Sequence, residues 1–211
     1  MYQIGVGKTS IISCFTKGKF SNNTQVTTSA AFSSRKINYH YLQQTVNFEI
    51  WDTCGQEKYR SLTQLFYKDA YIAIMVYDIT NKKSYKEAIN YWYYQIKDKG
   101  MKDVVMVLCG NKADLYEEEA VSEEDAREWA RLRKIEFYSV SAKDRETLTE
   151  MFQKIGENAL KVKGNGDLSH RGSMYSVSKS RKGTVRLGGR HDGADGDDED
   201  KDGNVDKSNC C

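Results

Sequence analysis

Gly5-Val6-Gly7-Lys8-Thr9-Ser10, close to the start of a 211-residue chain, decides how the remainder is read. Glycines beside a lysine and a hydroxyl residue let backbone N–H groups converge on phosphate oxygens. The N-terminus of the helix that follows, through Cys14 and Phe15, favours negative charge. In such a loop Lys8 bridges the terminal phosphates and Thr9 offers its hydroxyl to Mg²⁺. Alone, the fragment also fits a glycine-rich turn before an ordinary helix, so its meaning depends on what stands further along the chain.

Working outward, short β-type runs alternate with helical patterns, the signature of an α/β fold whose parallel strands are joined by crossover helices. Residues 46–51 (Val-Asn-Phe-Glu-Ile-Trp) alternate at period two, whereas residues 72–77, 104–109 and 137–140 are continuous apolar runs suited to buried strands. Ser122 with Asp125 three residues on reads as a helix N-terminus, opening a helix through Arg133. Residues 146–163 form a second amphipathic helix. From residue 164 the chain turns rich in Gly, Ser and charge, basic through Arg190 and acidic from Asp192 to Asp206. That composition predicts one folded domain over residues 1–163 and a disordered tail over 164–211.

Two further motifs stand at strand ends. Trp51-Asp52-Thr53-Cys54-Gly55-Gln56-Glu57 follows a strand directly, where an acid can orient Mg²⁺-bound water and the Gly55 N–H can meet a γ-phosphate. Asn111-Lys112-Ala113-Asp114 follows the run ending at Gly110, at the strand C-terminus where ligands of open α/β sheets bind. A carboxylate at Asp114 can accept hydrogen bonds from the ring N–H and exocyclic amine of guanine, a pattern adenine does not offer. Ser141-Ala142-Lys143, after the last strand, completes a base pocket. Each motif alone could be a surface turn. Four in this order, each at a strand end, favour a guanine-nucleotide site.

These motifs resemble the Ras superfamily, and within it the Rab family, over about residues 5–161. Tyr77-Asp78-Ile79-Thr80-Asn81, Gly110-Asn111-Lys112-Ala113-Asp114-Leu115 and Ala30-Ala31-Phe32 look most like the endosomal Rab subgroup. The resemblance implies a P-loop GTPase fold with a mixed, mostly parallel sheet flanked by helices, and GTP/GDP and Mg²⁺ as cofactors. It places the Mg²⁺-binding threonine of the first switch on Thr27, beside Thr9 and Asp52, and the aromatic next to guanine on Phe20. Gln56 falls on the water-positioning, catalytic glutamine, and Phe32, Trp51 and Phe66 on a hydrophobic triad that effectors read in the GTP state. Implied partners are a nucleotide exchange factor, a GTPase-activating protein, a GDP-dissociation inhibitor and effectors, with the protein itself a monomer.

Cys210-Cys211 resembles the double-cysteine signal for geranylgeranylation. Two lipid chains anchor stably where one binds marginally, so the expected location is the cytoplasmic face of an endosomal membrane, with a soluble pool. The remaining cysteines, Cys14, Cys54 and Cys109, show no zinc spacing. A formal charge of only +2 gives no ground for nucleic-acid binding. Asp198-Glu199-Asp200-Lys201-Asp202-Gly203 resembles the start of a calcium loop, but Asn209 stands where its bidentate Glu belongs, and a solvated acidic run is the better reading.

Some positions depart from the family. A complete phosphate loop carries a glycine five residues before Gly7, where this chain has Tyr2, and the strand that leads into the loop has no sequence to form it. The expectation is an N-terminally truncated form. Ile4 adds bulk where Gln56 must work, and Thr28-Ser29 replaces the usual Ile-Gly after the metal threonine. These departures support a competing reading, a lipid-anchored pseudo-GTPase that uses the fold as an interaction module without turnover.

Overall fold

The computed structural model describes residues 5–22, 27–54 and 65–164, and the backbone of 184–187. Helix α1 (Lys8–Lys17) leaves the phosphate loop and stops at Gly18, whose positive φ lets its N–H cap the Cys14 carbonyl. Strands β1 (Ala31–Tyr39) and β2 (Gln44–Asp52) pair antiparallel, Phe32 opposite Trp51 and Ile37 opposite Val46. The period-two pattern predicted for residues 46–51 holds there, with Val46 and Phe48 buried.

Strand β3 (Ile72–Asp78), β4 (Val105–Asn111) and β5 (Glu136–Ser139) form a parallel sheet in that order. Their continuous apolar sequence has a physical cause: both faces are covered. Val107 and Cys109 belong to one core and Leu108 to the other, as alternate residues of a strand must. The first core lies under α1 and the long α5 (Arg145–Gly164), where Phe15 stacks on Phe152 with centroids 3.7 Å apart. The second lies under α2 (Lys82–Glu87), a π-helical turn (Ala88–Trp92), α3 (Tyr93–Lys99) and α4 (Glu123–Leu132). Asn81 caps α2, accepting from the N–H groups of Lys83 and Ser84, and Ser122 caps α4, accepting from Asp125 N at 3.3 Å. Gly156 on α5 permits the close approach of β1: a Cβ there would meet the Tyr39 ring, whose hydroxyl donates to the Gln153 carbonyl at 2.9 Å.

Among the described residues the strands form two three-stranded sheets, β3-β4-β5 and β1-β2-β6, because β2 and β3 are not paired to each other. One feature differs from the sequence expectation: β6 (Thr184–Leu187) lies inside the segment whose composition predicts disorder, paired parallel with residues 45–48 of β2. Composition averages over the tail; the four-residue alternation Thr-Val-Arg-Leu, bounded by Gly183 and Gly188, is too short to move that average but long enough to pair.

Candidate functional site

The phosphate loop enters α1 through two glycines in the left-handed region, Gly5 at φ 82° and Gly7 at φ 90°. Gly7 is constrained twice, because a Cβ at that position would also run into Asn111 Nδ2. Lys8, Thr9 and Ser10 form the first turn of α1, so their backbone N–H groups belong to the set that has no acceptor within the helix. Val6 is buried and fixes the loop to the first core. Burial pulls the Lys8 ammonium below its ordinary pKa, opposed chiefly by the charge of Asp52.

At this corner three side chains predicted to share a metal come together. Thr9 Oγ1 donates to Asp52 Oδ2 at 2.6 Å and lies 2.8 Å from Thr27 Oγ1. Asp52 Oδ1 is buried with no hydrogen-bond partner. An all-oxygen donor set with one unused, buried carboxylate oxygen suits a hard divalent cation such as Mg²⁺. Burial raises the Asp52 carboxyl above the usual range, and the Thr9 hydrogen bond and Lys8 charge only partly offset it.

The second corner is closed by hydrogen bonds. Asp114 accepts from Ser141 Oγ and from Lys143 Nζ, each at 2.6 Å. Burial acts to raise its pKa, but these two donors and a backbone N–H outweigh it and hold the carboxyl below the ordinary value. Phe20 lies at the same place, with Lys143 Nζ 5.9 Å from its ring centroid. Lys112 adopts a left-handed conformation at φ 68°, which turns its chain back so that Nζ reaches Asp78 Oδ2 at 2.5 Å.

Asn111 joins the corners. Its Nδ2 donates to the Val6 carbonyl at 2.8 Å, and its Oδ1 accepts from Ala142 N at 3.0 Å. One side chain, 1 % exposed, thus pins the phosphate loop and the Ser141-Ala142-Lys143 loop to the end of β4. Sequence reasoning placed Asn111 among the base-pocket residues but not as this tie, and gave no site role to Asp78. The available signal for Asp78 was an acid ending a buried apolar run, in register with Asn111 on the neighbouring strand.

Away from both corners, Phe32, Trp51 and Phe66 make one aromatic row, with centroids 5.3 Å and 5.1 Å apart. Phe32 is 53 % exposed, an unusual place for a phenylalanine that serves only packing. Gly55, Gln56, Cys210 and Cys211 lie outside the described residues, as do Tyr2, Ile4 and the acidic stretch. No helix among the described residues is long and apolar enough to cross a membrane.

A glycine-bearing loop feeding α1 beside a parallel sheet, with polar loops at the ends of β4 and β5, defines the class of P-loop α/β proteins. Comparison with known proteins narrows this. The Ras family model matches residues 2–161. The chain is 38 % identical to Ras-related protein Rab5A of Oryza sativa subsp. japonica, over 74 % of this chain and 76 % of that protein. It is 39 % identical to Ras-related protein Rab-2B of Dictyostelium discoideum, over 74 % of this chain and 76 % of that protein. GTP-binding protein YPT52 of Saccharomyces cerevisiae is 37 % identical over 78 % of this chain and 81 % of its own. The chain belongs to the Ras family, within its Rab branch: a small GTPase, that is, a GTP hydrolase that binds GTP and GDP.

Proposed function

We propose that this GTPase works as a membrane-trafficking switch on endosomal membranes, with the GTP and GDP states distinguished by the segments around Thr27 and Gly55. The observation that carries the reading is the position of Thr27. Its hydroxyl lies 2.8 Å from that of Thr9 on α1, so a residue from a distant loop sits directly at the phosphate loop. A γ-phosphate there would hold the loop, and its loss would release it.

In this reading the N–H groups of Gly5, Val6, Gly7 and the first turn of α1, including Ser10, hold the phosphates, and Lys8 neutralises charge on their terminal oxygens. Thr9, Thr27 and Asp52 would hold Mg²⁺, Asp52 through water. When bound, the ion neutralises charge on the terminal phosphate oxygens. Gln56 orients the attacking water for in-line displacement. Asp114 reads the guanine edge, Ser141, Ala142 and Lys143 line the base pocket with Asn111 and Lys112, and Phe20 packs beside the ring. Geometry favours the base assignment: Asp114 is already ionised and held in place by two donors. Phe32, Trp51 and Phe66 present the surface that effectors read, while an exchange factor, an activating protein and a GDP-dissociation inhibitor set the cycle. Geranylgeranyl groups on Cys210 and Cys211 supply the membrane anchor, carried by the tail beyond the folded domain.

The experiment is direct. Protein purified in Mg²⁺ buffer is denatured and the released nucleotide identified by chromatography, and phosphate release from bound GTP is then followed in single turnover. Stoichiometric guanine nucleotide with slow phosphate release, lost in Gln56→Leu, is the expected result. Protein that carries no nucleotide would refute the switch, and bound GTP that is never hydrolysed would establish the pseudo-GTPase.

A further inference from the structure

Strand β2 has β1 on one edge. On its other edge, residues 45–48 pair parallel with β6, in the register Thr45 to Thr184, Val46 to Val185, Asn47 to Arg186 and Phe48 to Leu187. Val46 and Phe48 are almost fully buried, and buried backbone N–H and C=O groups require partners. β6 supplies them on the edge that β1 leaves unpaired.

Two independent observations support this placement. The first is in the sequence. Thr-Val-Arg-Leu alternates polar and apolar in phase with the Thr-Val-Asn-Phe it faces, so a shift of one residue would put each apolar position opposite a polar one. Glycines at 183, 188 and 189 bound the run on both sides. The second is the space beside it. β2 and β3 belong to separate sheets, and a cavity of about 230 Å³ lies between them, walled by Phe48, Ile50, Ile72 and Ile74 and reaching Lys8 and Asp52 at its upper end. β6 therefore pairs with the part of β2 that adjoins this cavity, the two meeting at Phe48.

We propose that Thr184–Leu187 is a strand-complementing segment: the C-terminal part of the chain adds a strand in cis to the open edge of β2 and so extends the β1-β2 pair to three strands. Because the pairing is parallel, the chain leaves Leu187 heading toward the Asp52 end of β2. There is a consequence for the anchor, which rests on the lipidation reading given above. Pinning the chain at Leu187 limits the reach to Cys210 to at most about 80 Å, whereas a tail free from the end of α5 could span at most about 160 Å. Folded body and membrane are thereby held closer, and the sheet is coupled to the tail.

The test uses the full chain with Cys210 and Cys211 replaced by serine. Thr45→Cys combined with Thr184→Cys is oxidised mildly and compared with Thr45→Cys combined with Ser180→Cys. A monomeric 45–184 disulfide forming at least about tenfold faster than the control is the expected result. Equal rates would overturn the register, and a disulfide-linked dimer would show that a second copy supplies the strand, which overturns pairing in cis. Hydrogen exchange gives a second measurement that does not depend on thiols. Val185→Pro removes a ladder donor, and the amides of residues 45–48 should then lose at least about tenfold of their protection. Unchanged protection would overturn the proposal. Neither readout involves nucleotide, so failure here leaves the GTPase reading intact, and failure of that reading leaves this one intact.

Discussion

Asp52, the last residue of β2, and Asp114, three residues beyond the end of β4, are both carboxylates of the site, yet the protein treats them in opposite ways. Asp114 is surrounded by donors, Ser141 and Lys143 among them, and is held in the ionised form. Asp52 has one donor, Thr9, a buried oxygen with none, and a pKa raised by burial. The base corner is organised in advance; the phosphate corner keeps electrostatic demand that only a cation and phosphates can satisfy. In such a design specificity comes from a site rigid before binding, while binding itself relieves the strain of a poorly solvated acid.

The largest expected effect comes from reversing the donor pattern at the organised corner. Asp114→Asn should weaken GTP binding by roughly 100-fold or more, about 3 kcal/mol, and admit xanthine nucleotides, because an amide presents N–H where the carboxylate presented an acceptor. Competition of GTP and XTP against a fluorescent GDP analogue measures it. Unchanged GTP affinity would mean that the base lies elsewhere.

Cutting the tie between the corners should come next. Asn111→Ala leaves the Val6 carbonyl and the Ala142 N–H without their partners in a site that is almost fully buried. Each such loss costs about 1–3 kcal/mol, and for a domain of this size every 1 kcal/mol lowers Tm by roughly 2–4 °C. The variant should melt several degrees lower and release nucleotide faster, since the loops holding phosphate and base are no longer fixed to the same strand end. A normal Tm with normal release would show that the corners are independent.

What could be read from the sequence divides along the same line. Motifs whose chemistry is local were legible: the Gly7-Lys8-Thr9 turn, the strand-end acid at Asp52, and the Asn111 to Asp114 run all stand where spacing put them. Helix α4 was legible because a cap and three acids mark its start. Long-range pairings were not. Nothing in the sequence says that Lys112 turns back to Asp78, because this depends on a left-handed backbone at a non-glycine residue and on the register of two strands. Strand β1 escaped notice because Ser33 and Arg35 stand on the same face as Ile37 and Tyr39, opposite Ser34, Lys36 and Asn38 on the exposed one, which dilutes the apolar alternation; only Ile37 and Tyr39 in it are buried. The π-helical turn at Ala88–Trp92 has no local signature in the sequence. β6 was hidden by its length.

The smallest effect is also the one that separates the two acids most cleanly. A carboxyl whose folded pKa lies above its unfolded value keeps its proton longer when folded. Its contribution to stability is full below the unfolded pKa and is lost as pH rises through the folded one. Asp52 is of this kind, so its effect falls in the window from the ordinary carboxylate range upward. Asp114 has the opposite sign: it stabilises above its unfolded pKa and loses that contribution as pH falls through its depressed folded value. In nucleotide-free protein kept in EDTA, acidification from neutral pH should therefore first draw a small gain from Asp52 and then, at lower pH, a loss from Asp114. Each should amount to no more than about 1 kcal/mol, because solvent screens the half-exposed Lys143 beside Asp114 and the Thr9 hydrogen bond and Lys8 charge offset part of the burial of Asp52, or roughly 2–4 °C in Tm. Melting curves across that range, for the parent, Asp52→Asn and Asp114→Asn, isolate the two. Asp52→Asn should gain on the parent as pH rises toward neutral, whereas the deficit of Asp114→Asn should be greatest at neutral pH and vanish in acid. If the two variants instead shift with pH in the same direction, the phosphate corner carries no unrelieved charge, and the contrast between a finished base site and an unfinished phosphate site is wrong.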